Sequence, residues 1–564
     1  MSEPDSPHSL QLTLAALRTM VSVTFSFLII CGIVHAQQRP ELYNSLSWYM
    51  NTMVDLSSGR PVGDLSDPSV TVSEAPSYLL LRATCQAKYQ GTMQDSCRKW
   101  FRLVWSFTRD NMQRKNVEQY YSTTVGWQEL PADRRDHLFG WYYKSDVDTS
   151  GRSALFVDLV NDIYGIDAAT DADQDIAMAL LQAAEIWSDD VDALMWRKEA
   201  EDIIEDIWRK ETRYLPSTGM RYLTAGDVHA RGANGWFNVN PSYCRPSYYE
   251  KFAEFHTPSD GVWTQLIEDC YVLLEQCIRA TYNTPTSPIT GSTGLPPDWF
   301  SIRESDGSIG AYIWEEHHSA TSSYDAYRTH YWVACDYFQS GGVRESAKRY
   351  LLEYGPLDFL LSELRSNLYL QAGYRIDGTD IGEAGTDINN ENWGSNGVYL
   401  AFFSAAADAR PEDQELILHR NYLRSRLSDN DNSYYHSSGY WGVAGEYYGQ
   451  HWAYFGLALD AKLCILSASG QHSGDFTATP QGICLAPNPA ISTLTIGYTN
   501  PTPGDVTIRI WDITGRLHYN RLHFLPGIGK HFMQVDASCL PAGAYRCMVE
   551  SRSHVDIGSL LIVK

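Results

Sequence analysis

Residues 169–187 read Ala-Thr-Asp-Ala-Asp-Gln-Asp-Ile-Ala-Met-Ala-Leu-Leu-Gln-Ala-Ala-Glu-Ile-Trp. Ile176, Ala177, Leu180, Leu181, Ala184 and Trp187 recur at helical spacing and make one apolar face. Three acids, Asp171, Asp173 and Asp175, crowd the start of that helix, where the backbone dipole favours negative charge. On spacing alone they read as an N-terminal cap and its acidic first turn.

Outward from this segment, helical periodicity dominates between Ser73 and about Ser467. It predicts helices over Tyr78–Tyr89, Asp95–Gln113, Asp171–Trp187, Asp190–Arg213, Tyr248–Phe255, Trp263–Thr281, Asp325–Phe338, Ser346–Asn367, Gly397–Ala407, Pro411–Leu427 and Gly449–Leu466. A twelfth would complete two concentric rings of six. The intervening loops, such as Tyr214–Pro246 and Tyr282–Ser323, are too long for plain connectors and suit the walls of a binding cleft. After Leu466 a run of small and polar residues reads as a linker. Short strands follow at Leu494–Tyr498, Val506–Trp511, His531–Val535, Ala544–Glu550 and Gly558–Val563.

The chain has 564 residues, so more than one folded unit is expected. A formal charge of -24 repels polyphosphate and argues against nucleic acid as a partner. The 17 Trp and 36 Tyr supply flat faces with polar edges that suit sugar rings, although most of them are needed for a large core. Val21–Ala36 is an apolar stretch after Arg18, ending in a small residue, which fits a cleaved secretory signal over 1–36. Export permits disulfides; Cys85 with Cys97, and Cys539 with Cys547, are spaced closely enough to bridge. No pair of cysteines has the CxxC spacing of a metal site. Glu315, Glu316, His317 and His318 share a loop but lack ligand spacing, so they are assigned to solvent or the cleft lining, and no metal is expected.

The 169–187 segment resembles the signature of glycoside hydrolase family 8: A-T-D-A-D, two variable residues, I-A, then a small apolar run ending in Trp. Val72-Ser73-Glu74-Ala75-Pro76-Ser77-Tyr78 is similar to the family's proton-donor segment, with Ala75 and Pro76 in place of a Gly-rich turn. Ser323-Tyr324-Asp325-Ala326-Tyr327-Arg328 is similar to its Asp-Ala-x-Arg motif. Looser likeness runs through 101–108, Leu138–Trp141 and Asn240–Tyr243. Without the family, Glu74 reads as half of a capping box with Thr71, and Asp325 with Arg328 as an ordinary ion pair one turn apart.

The resemblance implies an (α/α)6 barrel over 37–467 and an inverting hydrolase of β-1,4 linkages that needs no cofactor. Glu74 becomes the general acid, its proton retained by burial, and Asp325 the general base, oriented by Arg328. Asp171 grips and distorts the sugar. An inverting pair stands about 6.5–9.5 Å apart to admit one water. Trp141, Tyr243, Tyr78 and Tyr324 are expected to contact substrate, and Trp105 to lie in the core. The Asp base points to the cellulase and xylanase branch. Glucan is placed ahead of xylan; a polysaccharide lyase on the same barrel and a non-catalytic glycan-binding surface protein are the alternatives.

APNPA (486–490), TIRIWDITGRL (507–517), LPAGAY (540–545) and LLIVK (560–564) resemble the sorting domain of the type IX secretion pathway. That resemblance implies a linker at 468–485 and a small all-β sandwich at 486–564. It also implies type IX machinery as partner and a protein secreted or held at the cell surface, exported through the periplasm and outer membrane; separately, a monomer is expected.

Overall fold

Five helices are buried over most of their residues, Glu74–Tyr89, Thr170–Ile186, Arg328–Gln339, Trp393–Ala409 and Tyr447–Asp460, and a sixth, Pro246–Phe255, over half of them. In the Trp393 helix every residue from Gly394 to Ala407 is buried, and in the Arg328 helix every residue from Arg328 to Phe338. Helices without a wet face belong inside, and these form an inner ring. Around it the Glu74 helix packs on the Thr170 and Tyr447 helices, the Tyr447 helix on the Trp393 helix, and the Trp393 helix on the Arg328 helix, which meets the Pro246 helix. The buried Arg245–Asp175 ion pair joins the Pro246 helix back to the Thr170 helix and closes the circle.

An outer helix covers each inner one. Gln94–Asn111, Ala193–Lys210, Trp263–Cys277 and Gln414–Leu427 each pack on the helix that precedes them, and Pro40–Thr52 packs on the Tyr447 helix. These are one-faced: Ala193–Lys210 buries Trp196, Ala200, Ile203, Ile204 and Ile207 and turns most of its charges outward, Asp206 excepted. The place beside the Arg328 helix is taken by a broken segment. Glu345–Arg349 runs into a π-type turn at Tyr350–Tyr354, and Leu357–Asn367 resumes after Gly355-Pro356. Ser346–Asn367 was predicted as a single helix; Pro356 has no N–H to continue the ladder and disfavours helical geometry in the residue before it.

The N-terminal unit is thus an (α/α)6 barrel. This computed structural model describes residues 39–463 and 484–562, except 64, 90–93, 285–286, 368, 380–392, 432, 487–492, 501–503, 513–515, 526–528, 539 and 551–554. The signal segment 1–36 and residues 468–483 of the expected linker lie outside them. The twelfth helix is Pro40–Thr52, ahead of the region where periodicity was read; Leu42, Leu46, Tyr49 and Met50 form its buried stripe. Among the described residues no helix is long and apolar enough to cross a membrane.

Strands occur where sequence suggested only loops. Trp236–Val239, Phe300–Arg303 and Ile309–Ala311 form one antiparallel sheet, joining the two long loops into a single wall. A second sheet runs Val70–Val72, Tyr142–Lys144, Ala154–Asp158, Gln119–Ser122, Gly126–Glu129, with Ile163–Tyr164 beside Ala154–Asp158. Cys97 and Cys547 are free thiols, which removes both suggested bridges, while Cys85 is disulfide-bonded.

The chain divides into two compact units between Ile465 and Leu466. The second is a β-sandwich. One sheet has the order Cys484–Ala486, Thr493–Asn500, Gly529–Asp536; the other Leu517–Leu525, Gly504–Asp512, Gly543–Glu550, Val555–Ile562. Alternate residues such as Val506, Ile508 and Ile510, or Tyr545, Cys547 and Val549, turn inward to one core.

Candidate active site

Four inner helices begin at the same place. Glu74, Asp171, Arg328 and Tyr447 are all first or second residues of their helices; the two acids meet the Arg328 guanidinium and Tyr447 meets Glu74. Arg328 Nη1 donates to Glu74 Oε1 at 2.5 Å, to Asp171 Oδ2 at 3.0 Å and to the Tyr78 hydroxyl at 3.0 Å. Its Nη2 donates to Asp325 Oδ1 at 2.7 Å. One buried cation therefore gathers three carboxylates that lie far apart in the chain. Helix N-termini add their own positive potential at the same point.

The Asp325–Arg328 ion pair and the acidic first turn of the Thr170 helix both form, but neither capping role does. Thr71 donates its hydroxyl to the Pro61 carbonyl, so no capping box forms with Glu74. Asp171 does not cap; the residue before the Thr170 helix, Ala169, makes no side-chain cap bond. Ala75 and Pro76 lie in the first turn of the Glu74 helix, where proline costs no hydrogen bond, and both are buried. Asp325 precedes its helix, which starts at Arg328 and not at Asp325 as predicted.

Exposure separates the acids. The Asp171 side chain is fully buried, whereas those of Glu74 and Asp325 are 20% and 33% exposed. Glu74 and Asp171 also lie within hydrogen-bonding reach of one another. Burial pushes Asp171 well above the ordinary carboxylate range, and the Glu74 charge pushes it further. Burial also acts to raise Glu74, but the Arg328 charge and the bonds from Asp171, Tyr447 and Arg328 outweigh it and leave Glu74 lowered. Burial alone was expected to raise Glu74; the Arg328 charge and the bonds around it reverse that direction, and Glu74 and Asp171 titrate as one pair. Tyr78 and Tyr447, raised by burial, stay neutral and can donate.

Tyr78, expected against substrate, is fully buried; its hydroxyl donates to Glu74 Oε1 at 3.3 Å. Tyr243 lies over the Arg328 guanidinium at 5.2 Å and against Trp299 at 5.8 Å. Trp141 is half-buried at the mouth of the Glu74 segment, its carbonyl accepting from Ser73 N at 2.8 Å. Tyr324 is half-buried and packs edge-on against Tyr448. Trp105 lies in the core.

Several residues at this site were not singled out in the sequence. Tyr447 donates to Glu74 Oε2 at 2.9 Å, and Tyr448 donates to the Tyr324 carbonyl. Trp299 Nε1 donates to Asp325 Oδ2 at 2.9 Å. Asp298, almost fully buried, accepts from Ser323 N at 2.7 Å, Ala326 N at 3.0 Å, Thr321 Oγ1 at 2.7 Å and Ser323 Oγ at 2.7 Å. It thereby holds the whole turn that carries Asp325. Burial and the Asp325 charge raise Asp298 to about 6. The available signal was Pro296-Pro297-Asp298-Trp299, an acid and an indole in an otherwise polar loop, and a Tyr pair opening the last inner helix.

Residues 133–344 match the model of glycosyl hydrolases family 8, and residues 485–564 match that of the secretion system C-terminal sorting domain. The helical unit thus carries a match to glycosyl hydrolases family 8 over its middle, and the β unit a match to the secretion-system sorting domain. Endoglucanase A of Acetivibrio thermocellus is 27% identical over 305 residues, 53% of this chain and 54% of that protein. Endoglucanase C of Ruminiclostridium cellulolyticum is 30% identical over 207 residues, 36% of this chain and 38% of its own. The chain thus spans about half or less of the length of these relatives. A solved endo-1,4-D-glucanase from Vibrio fischeri ES114 has a TM-score of 0.49 and 18% identity, covering 74% of this chain and 94% of that one.

Proposed function

We propose that this chain is a secreted, inverting endo-β-1,4-glucanase that works without a cofactor. The observation that carries the reading is the single guanidinium of Arg328 spanning Glu74 on one amino group and Asp325 on the other. A spacer of one guanidinium and two hydrogen bonds keeps the bonded oxygens within about 8 Å, compatible with an inverting pair. Glu74 protonates the leaving oxygen, drawing on the proton it shares with Asp171. Asp325, oriented by Arg328 and Trp299, takes a proton from the water that attacks the opposite face of the sugar. Tyr243, Trp141 and Tyr324 line the sugar path, Asp171 supports the distorted ring from beneath, and Tyr78 tunes Glu74.

Glucan stands ahead of xylan because the curated relatives carry endoglucanase or β-glucanase names, among them a β-glucanase of Niallia circulans matched over 80% of its length. The sorting domain supports delivery to the cell surface or exterior; a signal peptide over 1–36 and type IX passage through periplasm and outer membrane complete the proposed route.

Reducing-sugar release from carboxymethyl cellulose, xylan, lichenan and chitosan tests the activity. Glucan substrates should give the fastest release, and Glu74→Gln should lower it by about 10²–10⁴-fold. Equal release by the wild type and Glu74→Gln would refute the donor assignment.

A further inference from the structure

One more group of chemically active side chains is brought together outside the carboxylate cluster. Glu315, His317 and His318 sit on and just before the 3-10 turn Glu316–Ser319, and one ligand atom from each lies within 4.8 Å of the others. His318 Nε2 is 2.8 Å from Glu315 Oε2, His317 Nε2 is 4.0 Å from the same oxygen, and the two imidazole centroids are 4.2 Å apart. From sequence these residues are assigned to solvent or the cleft lining, since adjacent histidines on a loop lack ligand spacing. The tight turn overrides that and swings both rings to the side of Glu315. Glu315 and His317 are exposed, so an ion has free access.

Two imidazole nitrogens and one carboxylate oxygen form a donor set for zinc-class transition ions, whereas magnesium and calcium want oxygen alone. A net charge of -24 raises the local concentration of cations. The turn is also tied to the proposed base. Trp299 N donates to the His318 carbonyl at 3.3 Å, and Ser319 Oγ donates to the Trp299 carbonyl at 2.7 Å. Trp299 Nε1 in turn holds Asp325. A bound ion would draw its ligands to about 2.0–2.2 Å from itself, which shifts the turn and with it Trp299, pulling its N–H away from Asp325.

We propose that Glu315, His317 and His318 form a binding site for a zinc-class divalent transition ion at the rim of the Asp325 loop, and that filling it slows turnover. The second half rests on the hydrolase reading above; the first does not.

Zinc chloride binding by the full chain, followed by equilibrium dialysis with metal analysis and by titration calorimetry, separates the two. The wild type should hold one more zinc per chain than the His317→Ala/His318→Ala double variant. Glu315→Gln should weaken that site several-fold, and magnesium chloride should not displace the zinc. Zinc should also reduce glucan hydrolysis several-fold in the wild type and not in the double variant. The exposed variants should melt at the wild-type temperature without zinc. Equal zinc uptake by wild type and double variant, or displacement by magnesium, overturns the site. Full occupancy with unchanged turnover overturns its coupling to Asp325. A chain that hydrolyses none of the glycans still reports through its zinc stoichiometry.

Discussion

Arg328 makes the proposed chemistry legible at the scale of single residues, because everything it touches must be read as one electrostatic unit. Its charge lowers Glu74, while burial and the neighbouring Glu74 raise Asp171. An acid whose folded value lies above its unfolded one binds more protons when folded, so stability falls as pH climbs from the ordinary Asp value toward the raised one. Asp171→Asn imitates the protonated form. It should therefore melt no lower than the wild type at pH 8 and lose part of the alkaline decline, while hydrolysis drops; thermal melts across pH 5–9 check this. Trp299 acts through a single N–H. Trp299→Phe keeps a ring against Tyr243 and Tyr312 but removes the donor to Asp325. A hydrogen bond to a charged group is worth about 1.5–3 kcal/mol, so kcat should fall about 10–100-fold with KM for short glucans little changed. Steady-state kinetics and the acid limb of the pH profile measure it.

The inner helices owe their close approach to small residues. Gly397 and Gly456 face one another where the Trp393 and Tyr447 helices cross; a Cβ on Gly456 would lie 1.9 Å from the Gly397 carbonyl oxygen. Backbone cannot yield as a flexible side chain does, so Gly456→Ala forces the helices apart. Overpacking of this kind costs typically 1–3 kcal/mol. The variant should melt several degrees lower and, because Tyr447 opens the displaced helix, lose activity as well; calorimetry and the reducing-sugar assay together test the link. Asp298 illustrates the same dependence for a loop: four hydrogen bonds to one carboxylate set the shape of the Thr321–Ala326 turn beyond its short pairing with Tyr374–Arg375.

Two units with separate cores make up the described chain, and their tasks separate accordingly. Deleting residues 485–564 should leave the protein within the producing cell, since the sorting domain is the proposed address, while the barrel keeps its own core. Immunodetection in cell and medium fractions decides it; undiminished export of the truncated chain would contradict the address.

Much of this architecture was readable from periodicity. Eleven of the twelve helical places were predicted from apolar residues at turn spacing, and the twelfth, Pro40–Thr52, carries the same stripe ahead of the span that was read. Glu74, Asp171, Asp325 and Arg328 were recognisable from local motifs, each sitting where a helix begins. Tertiary structure alone decided that they meet on one guanidinium, that Glu74 and Asp171 are pushed in opposite directions as a pair, and that Tyr447, Asp298 and Trp299 surround them. The physical reason is that desolvation and hydrogen bonding depend on which distant helix ends are brought within a few ångströms. Spacing along a chain fixes only which side of its own helix a residue faces.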